Sequence, residues 1–173
     1  MLEQGLIHVY TGEGKGKTTA SVGLAVRARS RGLRVLYAQF MKARTGGETE
    51  LLPSLGVEVM RFHDVLSPRF HPEVLLEEIR EAASRALGEL TARIAGGYDL
   101  VVLDEFNCLL SAGIITTAQA LEFISKKGPH TELVLTGRGA PDELIAEADL
   151  VTEMREAKHP FTNKIGARQG IEF

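Results

Sequence analysis

Apolar residues gather in short runs along this chain, and between the runs they recur at three- and four-residue steps. The runs at residues 6–10, 34–40, 99–104, 132–136 and 150–154 are rich in Leu, Ile, Val and Tyr, which suits strands. Residues 57–62 alternate apolar and polar, the signal of a further short strand. Residues 17–31 predict a helix whose Ala20, Leu24, Ala25 and Ala28 share a side. Gly32 ends it, and Arg27, Arg29, Arg31 and Arg34 cluster where positive charge complements the helix dipole. Pro72 opens a longer helix over 72–95, with Leu75, Ile79, Ala82, Ala83, Ala86, Leu87, Leu90 and Ile94 on one face. Glu81/Arg85 and Glu89/Arg93 are i,i+4 pairs on it, worth about 0.2–0.5 kcal/mol each. Residues 116–127, capped by Thr116 or Thr117, and 141–147 predict two more helices. Residues 41–50 and 63–71 carry no periodicity and read as loops.

Strands alternating with helices specify an α/β fold, with a mostly parallel sheet and helices on both faces. The unbroken apolar stretch Leu100-Val101-Val102-Leu103 fits a strand covered on both sides. At 173 residues the chain has the length of one domain, expected over 1–173, with enough surface to bury its own core. A net charge of −3 and a pI near 6.0 argue against a nucleic-acid wrapper or a binder of membrane surfaces. The single cysteine, Cys108, excludes an internal disulfide framework and is expected to behave as a small buried hydrophobe. No apolar run approaches the ~20 residues that span a bilayer. The first residues lack the basic and apolar regions of a signal peptide. A soluble, cytoplasmic protein is expected.

Candidate chemistry begins directly after the first strand, in TGEGKGKTTA. A strand, a glycine-rich turn and a helix opening on Gly-Lys-Thr make a phosphate-binding P-loop. Gly12, Glu13, Gly14, Lys15, Gly16, Lys17, Thr18 and Thr19 are its nucleotide-binding residues. Backbone N–H groups and the helix N-terminus face phosphate oxygens. Lys17 reaches the outer phosphates, and Thr18 offers its hydroxyl to Mg²⁺. The first glycine comes one position late, with Thr11 in its usual place. A second signal is Asp104-Glu105 at the end of an apolar strand, on the same sheet edge, where carboxylates can hold Mg²⁺. Arg138, in Thr136-Gly137-Arg138-Gly139, follows another strand and is placed to grip a phosphate oxygen. Lys158 and His159 lie beyond the last strand; His63 and His71 lack metal-ligand spacing. These residues alone imply magnesium-dependent handling of ATP or GTP, by hydrolysis or phosphoryl transfer. No guanine-specific signature is present, which favours ATP. Which nucleotide bond breaks is not written in a P-loop.

TGEGKGKTTA, QFMK, DLVVLDEFN, VLTGRGAPDELIAEADLVTEMREAKHPF and the closing GIEF together resemble the ATP:corrinoid adenosyltransferases, in order and over residues 5–173. That family's loop has the same late first glycine. The resemblance implies a RecA-like P-loop NTPase fold and transfer of the 5′-deoxyadenosyl group of ATP to reduced cobalt in cob(I)alamin or a precursor. Triphosphate is released, in cobalamin biosynthesis or salvage. It implies catalytic roles for Lys17, Glu105 and Arg138, Mg²⁺ at Thr18, Asp104 and Glu105, and a further polar contact from Lys42. A reductase supplying Co(I) and a homodimer are also implied. The alternatives are a P-loop ATPase or kinase, and a nucleotide- or corrinoid-binding protein without turnover. Glu13 replaces the family's frequent Asn, and its carboxylate is expected to face the ribose or solvent. No tryptophan is present, so Val65, Leu66 and Phe70 are the apolar candidates for a corrinoid cover, the alternative being that they pack under the long helix. One or both of the loops at 41–50 and 63–71 are expected to order on binding.

Overall fold

Six strands line up side by side in one sheet in the computed structural model, which describes residues 2–42 and 46–171. They are β1 (Ile7–Thr11), β2 (Val35–Gln39), β3 (Glu58–Arg61), β4 (Leu100–Asp104), β5 (Glu132–Thr136) and β6 (Leu150–Glu153). Their order is β3-β2-β4-β5-β1-β6, and every pairing is parallel. The helices are α1 (Lys17–Ser30), α2 (Gly47–Leu51), α3 (Leu76–Ile94), α4 (Phe106–Ser111), α5 (Thr117–Ile124) and α6 (Asp142–Glu147). Short 3₁₀ turns occupy Leu52–Leu55 and Pro160–Asn163. The predicted α/β class, parallel sheet and strand positions hold.

Alternation along the central strands builds two apolar layers. Leu36, Ala38, Val101, Leu103, Leu133 and Leu135 pack with α3, α4 and α5. Their neighbours Val35, Tyr37, Leu100, Val102 and Val134 pack with Ala25 and Ala28 of α1 on the other face. Both faces of these strands are therefore covered, as in other parallel sheets. A shared direction brings every strand's C-terminal end to one edge, where the loops after β1, β2, β4 and β5 meet.

Several boundaries differ from the sequence expectation. The long helix starts at Leu76, because Leu75 is extended (φ −63°, ψ 134°) and Pro72 lies in a turn closed by Val74 N–H on the His71 carbonyl. Leu75, expected on the buried face, is exposed, while Ile79, Ala82, Ala83, Ala86, Leu90 and Ile94 are buried. Arg85 turns away from Glu81 to meet Asp64 at 3.1 Å. Arg93 keeps a long contact with Glu89 at 3.9 Å and a closer one with Glu58 at 2.5 Å. Part of the expected loop at 41–50 is helical as α2, and residues 43–45 lie outside the described residues. α5 carries the expected cap as a reciprocal pair: Thr116 Oγ1 accepts from Gln119 N–H, and the Gln119 side chain accepts from Thr116 N–H.

Candidate functional site

The glycine loop leaves β1 against a backbone floor supplied by the residues after β6. Gly14 N–H donates to the Met154 carbonyl at 2.6 Å, and Met154 N–H donates to the Thr11 carbonyl at 2.8 Å. A Cβ at Gly12 or Gly14 would stand 2.6 Å from that Met154 oxygen, so neither position accepts a side chain without movement. Gly12 (φ 92°) and Gly16 (φ 121°) also need left-handed backbone. The late first glycine has a simple cause. Thr11 is the last residue of β1, paired in register with Glu153, and its hydroxyl accepts from Ala140 N–H at 3.3 Å.

Lys17 lies folded across this loop. Its Nζ donates to the carbonyls of Gly12 at 2.6 Å and Gly14 at 2.7 Å, and the side chain is buried. Burial, then the positive charge of Arg138, lower its pKa from the usual lysine value, opposed by Glu105, Cys108 and Glu13. Lys15 reaches the Ile171 carbonyl at 3.3 Å.

Asp104, at the end of β4, is fully buried and surrounded by donors. Its Oδ1 accepts from Thr18 Oγ1 (3.0 Å) and Thr136 Oγ1 (2.7 Å), and its Oδ2 from Gln39 Nε2 (3.1 Å) and Lys42 Nζ (2.9 Å). The register explains the convergence. Gln39 pairs with Asp104, and Leu103 pairs with Leu135, so Thr136 stands beside the carboxylate. Lys42 Nζ also donates to Thr18 Oγ1 at 3.3 Å and lies 3.6 Å from Glu48. Burial works against the Lys42 charge, but Asp104, Glu105 and Glu48 outweigh it and raise its pKa.

Glu105 caps α4 in a left-handed conformation (φ 65°). Its N–H donates to Thr136 Oγ1 at 3.1 Å, and its Oε2 accepts from the Cys108 thiol at 2.8 Å. Cys108 is thus half-buried and hydrogen-bonded rather than a plain apolar filler. Burial and then the Glu105 charge push its pKa up to about 12. Asn107, which the sequence did not single out, ties strand ends together through Nδ2 to the carbonyls of Tyr10 (3.4 Å) and Gly137 (3.2 Å).

A cleft of about 540 Å³ opens over the loop, lined by Lys15, Thr19, Lys42, Glu48, Glu105 and Arg138, with His159 and Gly170 at its margin. That size suits a nucleotide. Arg138 crosses its mouth to Glu13 at 3.1 Å, and the Glu13 carboxylate stays largely exposed to solvent beside that guanidinium. All the sequence-predicted site residues therefore meet at one edge. Gln39, Glu48, Thr136 and the Met154 carbonyl join them. The apolar cover expected in the loop at 63–71 is corrected by burial. Val65 is 1% exposed in the core and Leu66 packs against it, leaving Phe70 alone outside at 73%, with Arg69 5.8 Å over its ring. Of the closing GIEF, Glu172 and Phe173 lie outside the described residues.

Oxygen donors here already hold a cation, since the Lys42 ammonium rests on Thr18 Oγ1 and Asp104 Oδ2. A hydroxyl and a carboxylate beside a phosphate site are the set Mg²⁺ uses, so these residues fit that ion.

Residues 3–173 match the family described as ATP:corrinoid adenosyltransferase BtuR/CobO/CobP. A corrinoid adenosyltransferase of Sinorhizobium is 37% identical over 180 residues, spanning 99% of this chain and 81% of its own length. The corrinoid adenosyltransferase CobA of Salmonella typhimurium is 34% identical over 174 residues, spanning 99% and 87%. Among solved structures, the flagellar accessory protein FlaH from Methanocaldococcus jannaschii aligns with a TM-score of 0.52 at 14% identity, covering 88% of this chain and 72% of that one. That likeness concerns the fold alone and agrees with an α/β P-loop architecture. The loop, strand-end carboxylates and TGRG turn all fall inside the matched region, and the chain belongs to the ATP:corrinoid adenosyltransferase family.

Proposed function

We propose that this protein transfers the 5′-deoxyadenosyl group of ATP to the Co(I) of a reduced corrinoid, cob(I)alamin or a precursor. A Co–C bond forms at the 5′ carbon as the C–O bond breaks, and the electron pair departs with triphosphate. Family membership over nearly the whole chain carries this reading. The geometry supports it through what the site holds. Gly12 to Thr19, with the N-terminus of α1, form a cradle for the triphosphate. Lys17, once its two carbonyl contacts are exchanged for phosphate oxygens, offsets charge on the leaving group. Thr18 with Asp104 or Glu105 would hold Mg²⁺, which supplies further positive charge against the triphosphate. Arg138, swinging from Glu13, extends that positive wall. Co(I) is itself the nucleophile, so the chain's task is to hold the 5′ carbon in line with it and exclude water.

A reductase that delivers Co(I) and a homodimer complete the reading. The edge strand β6, with Leu150 and Val151 each 40% exposed, supports pairing with a second copy. Among the described residues no helix is long and apolar enough to cross a membrane. The test supplies ATP, Mg²⁺ and chemically reduced cobalamin. The Co–C absorbance change together with free triphosphate is expected; ADP and phosphate without alkylcobalamin would replace this reading with an ATPase or kinase.

A further inference from the structure

Lys42 stands in the cleft at a position assigned above to another site component. Its Nζ touches Asp104 Oδ2 at 2.9 Å and Thr18 Oγ1 at 3.3 Å. The Thr18 hydroxyl spends its proton on Asp104 Oδ1, at 3.0 Å, so the oxygen it turns to Lys42 is an acceptor. A divalent ion uses a threonine hydroxyl in the same sense, as a lone pair beside a carboxylate. An ammonium and a metal ion cannot both occupy the space against these two oxygens, since each must touch them and the two repel.

We propose that Lys42 is a built-in placeholder for the cation: its ammonium fills the divalent-metal position in the empty protein and is expelled when the metal arrives. This rests on the assignment of Thr18 and Asp104 as metal ligands made above. Without a cation beside it, Asp104 would be a fully buried carboxylate balanced only by neutral donors from Thr18, Thr136 and Gln39. Burying a charge in that way is costly. Lys42 supplies the missing charge and keeps Asp104 ready. Its exit is also provided for. The Glu48 carboxylate lies 3.6 Å from Nζ, lines the same cleft and can retain the ammonium after it leaves Asp104. The arrangement makes bare metal a weak ligand. Metal arriving with a triphosphate gains phosphate oxygens as well, and so outcompetes the lysine.

The test measures Mn²⁺ binding to nucleotide-free protein by the loss of the free-ion paramagnetic signal, in wild type and in Lys42→Met. The variant should bind Mn²⁺ at least about tenfold more tightly, because the competing ammonium is gone. Equal or weaker affinity, including no measurable binding in either protein, overturns the proposal. A second measurement uses the wild-type protein and covers a variant that fails to fold. Acetylation of Lys42 by acetic anhydride, followed by peptide mass spectrometry, should quicken at least threefold when saturating Mn²⁺ frees the ammonium from Asp104. An unchanged or slower rate overturns it. Neither measurement contains ATP or corrinoid, so a failure of adenosyl transfer would leave these outcomes intact and distinguishable.

Discussion

Replacing Thr136 by valine keeps the shape of the side chain and removes one hydroxyl that serves two partners, the buried Asp104 and the half-buried Glu105. That hydroxyl donates to Asp104 Oδ1 at 2.7 Å and accepts from Glu105 N–H at 3.1 Å. Thr136 is fully buried, so water cannot replace it. A hydrogen bond to a charged group is worth about 1.5–3 kcal/mol, and a stranded N–H costs about 1–3 kcal/mol more, least where it is only partly buried. Asp104 keeps three other donors and Glu105 is only half-buried, which places the expected loss toward the lower part of the combined range, about 2.5–4 kcal/mol. At roughly 2–4 °C per kcal/mol for a chain of this size, the melting temperature should fall by about 5–15 °C. Thr136→Ser is the control. It retains both hydrogen bonds and loses one methyl group, a change of about 1 kcal/mol. Denaturant melts of the three proteins give the comparison, and adenosyl transfer in the same preparations should fall in the valine variant more than in the serine variant. Equal losses in the two variants, or a valine effect below about 0.5 kcal/mol, would show that the hydroxyl is not the linchpin between Asp104 and Glu105.

Lys17→Ala should weaken ATP use by about 1.5–3 kcal/mol, roughly ten- to hundredfold in kcat/KM for ATP. Near-normal turnover would remove Lys17 from the phosphate site. Cys108, with its pKa near 12, should stay protonated at pH 8 and react with iodoacetamide about a hundredfold or more slower than an unperturbed thiol, with the rate still climbing above pH 10. Rapid alkylation at pH 8, followed by mass spectrometry, would contradict the burial of the thiol and its contact with Glu105. Phe70→Ala should leave the stability within about 0.5 kcal/mol of wild type, since the ring is 73% exposed, and should raise KM for the corrinoid while KM for ATP stays put. A large loss of stability with unchanged corrinoid kinetics would return Phe70 to a packing role.

The strands were legible because each is a short apolar run bounded by turn residues, and burial on both faces demands that pattern. Helices α2 and α4 were not. Each is five or six residues long, too short for a 3.6-residue period to show, and α4 starts from a left-handed Glu105 that no propensity announces. At the site, Lys17, Thr18, Asp104, Glu105 and Arg138 could be read from motif and position at strand ends. Gln39 and Thr136 could not, although both are polar residues closing apolar strands, because their role depends on which strands become neighbours. The Met154 contribution is a backbone oxygen and has no side-chain signature. Glu13 looked ill-placed beside phosphates in the sequence; its partner Arg138 lies 125 positions away and became visible only once the chain was folded.

The floor beneath the glycine loop has a consequence for assembly on the ribosome. β1 is made first, yet both of its sheet neighbours, β5 and β6, come from the last third of the chain. The loop's own support, the Met154 carbonyl, is synthesised later still. Contacts of such wide sequence separation form slowly and late. A nascent chain carrying the whole glycine motif, Asp104 and Glu105 is therefore expected to lack affinity for ATP until residue 154 has emerged and docked. Nucleotide binding then marks completion of the sheet, and newly made chains pass through an interval in which β1 lacks both of its sheet neighbours.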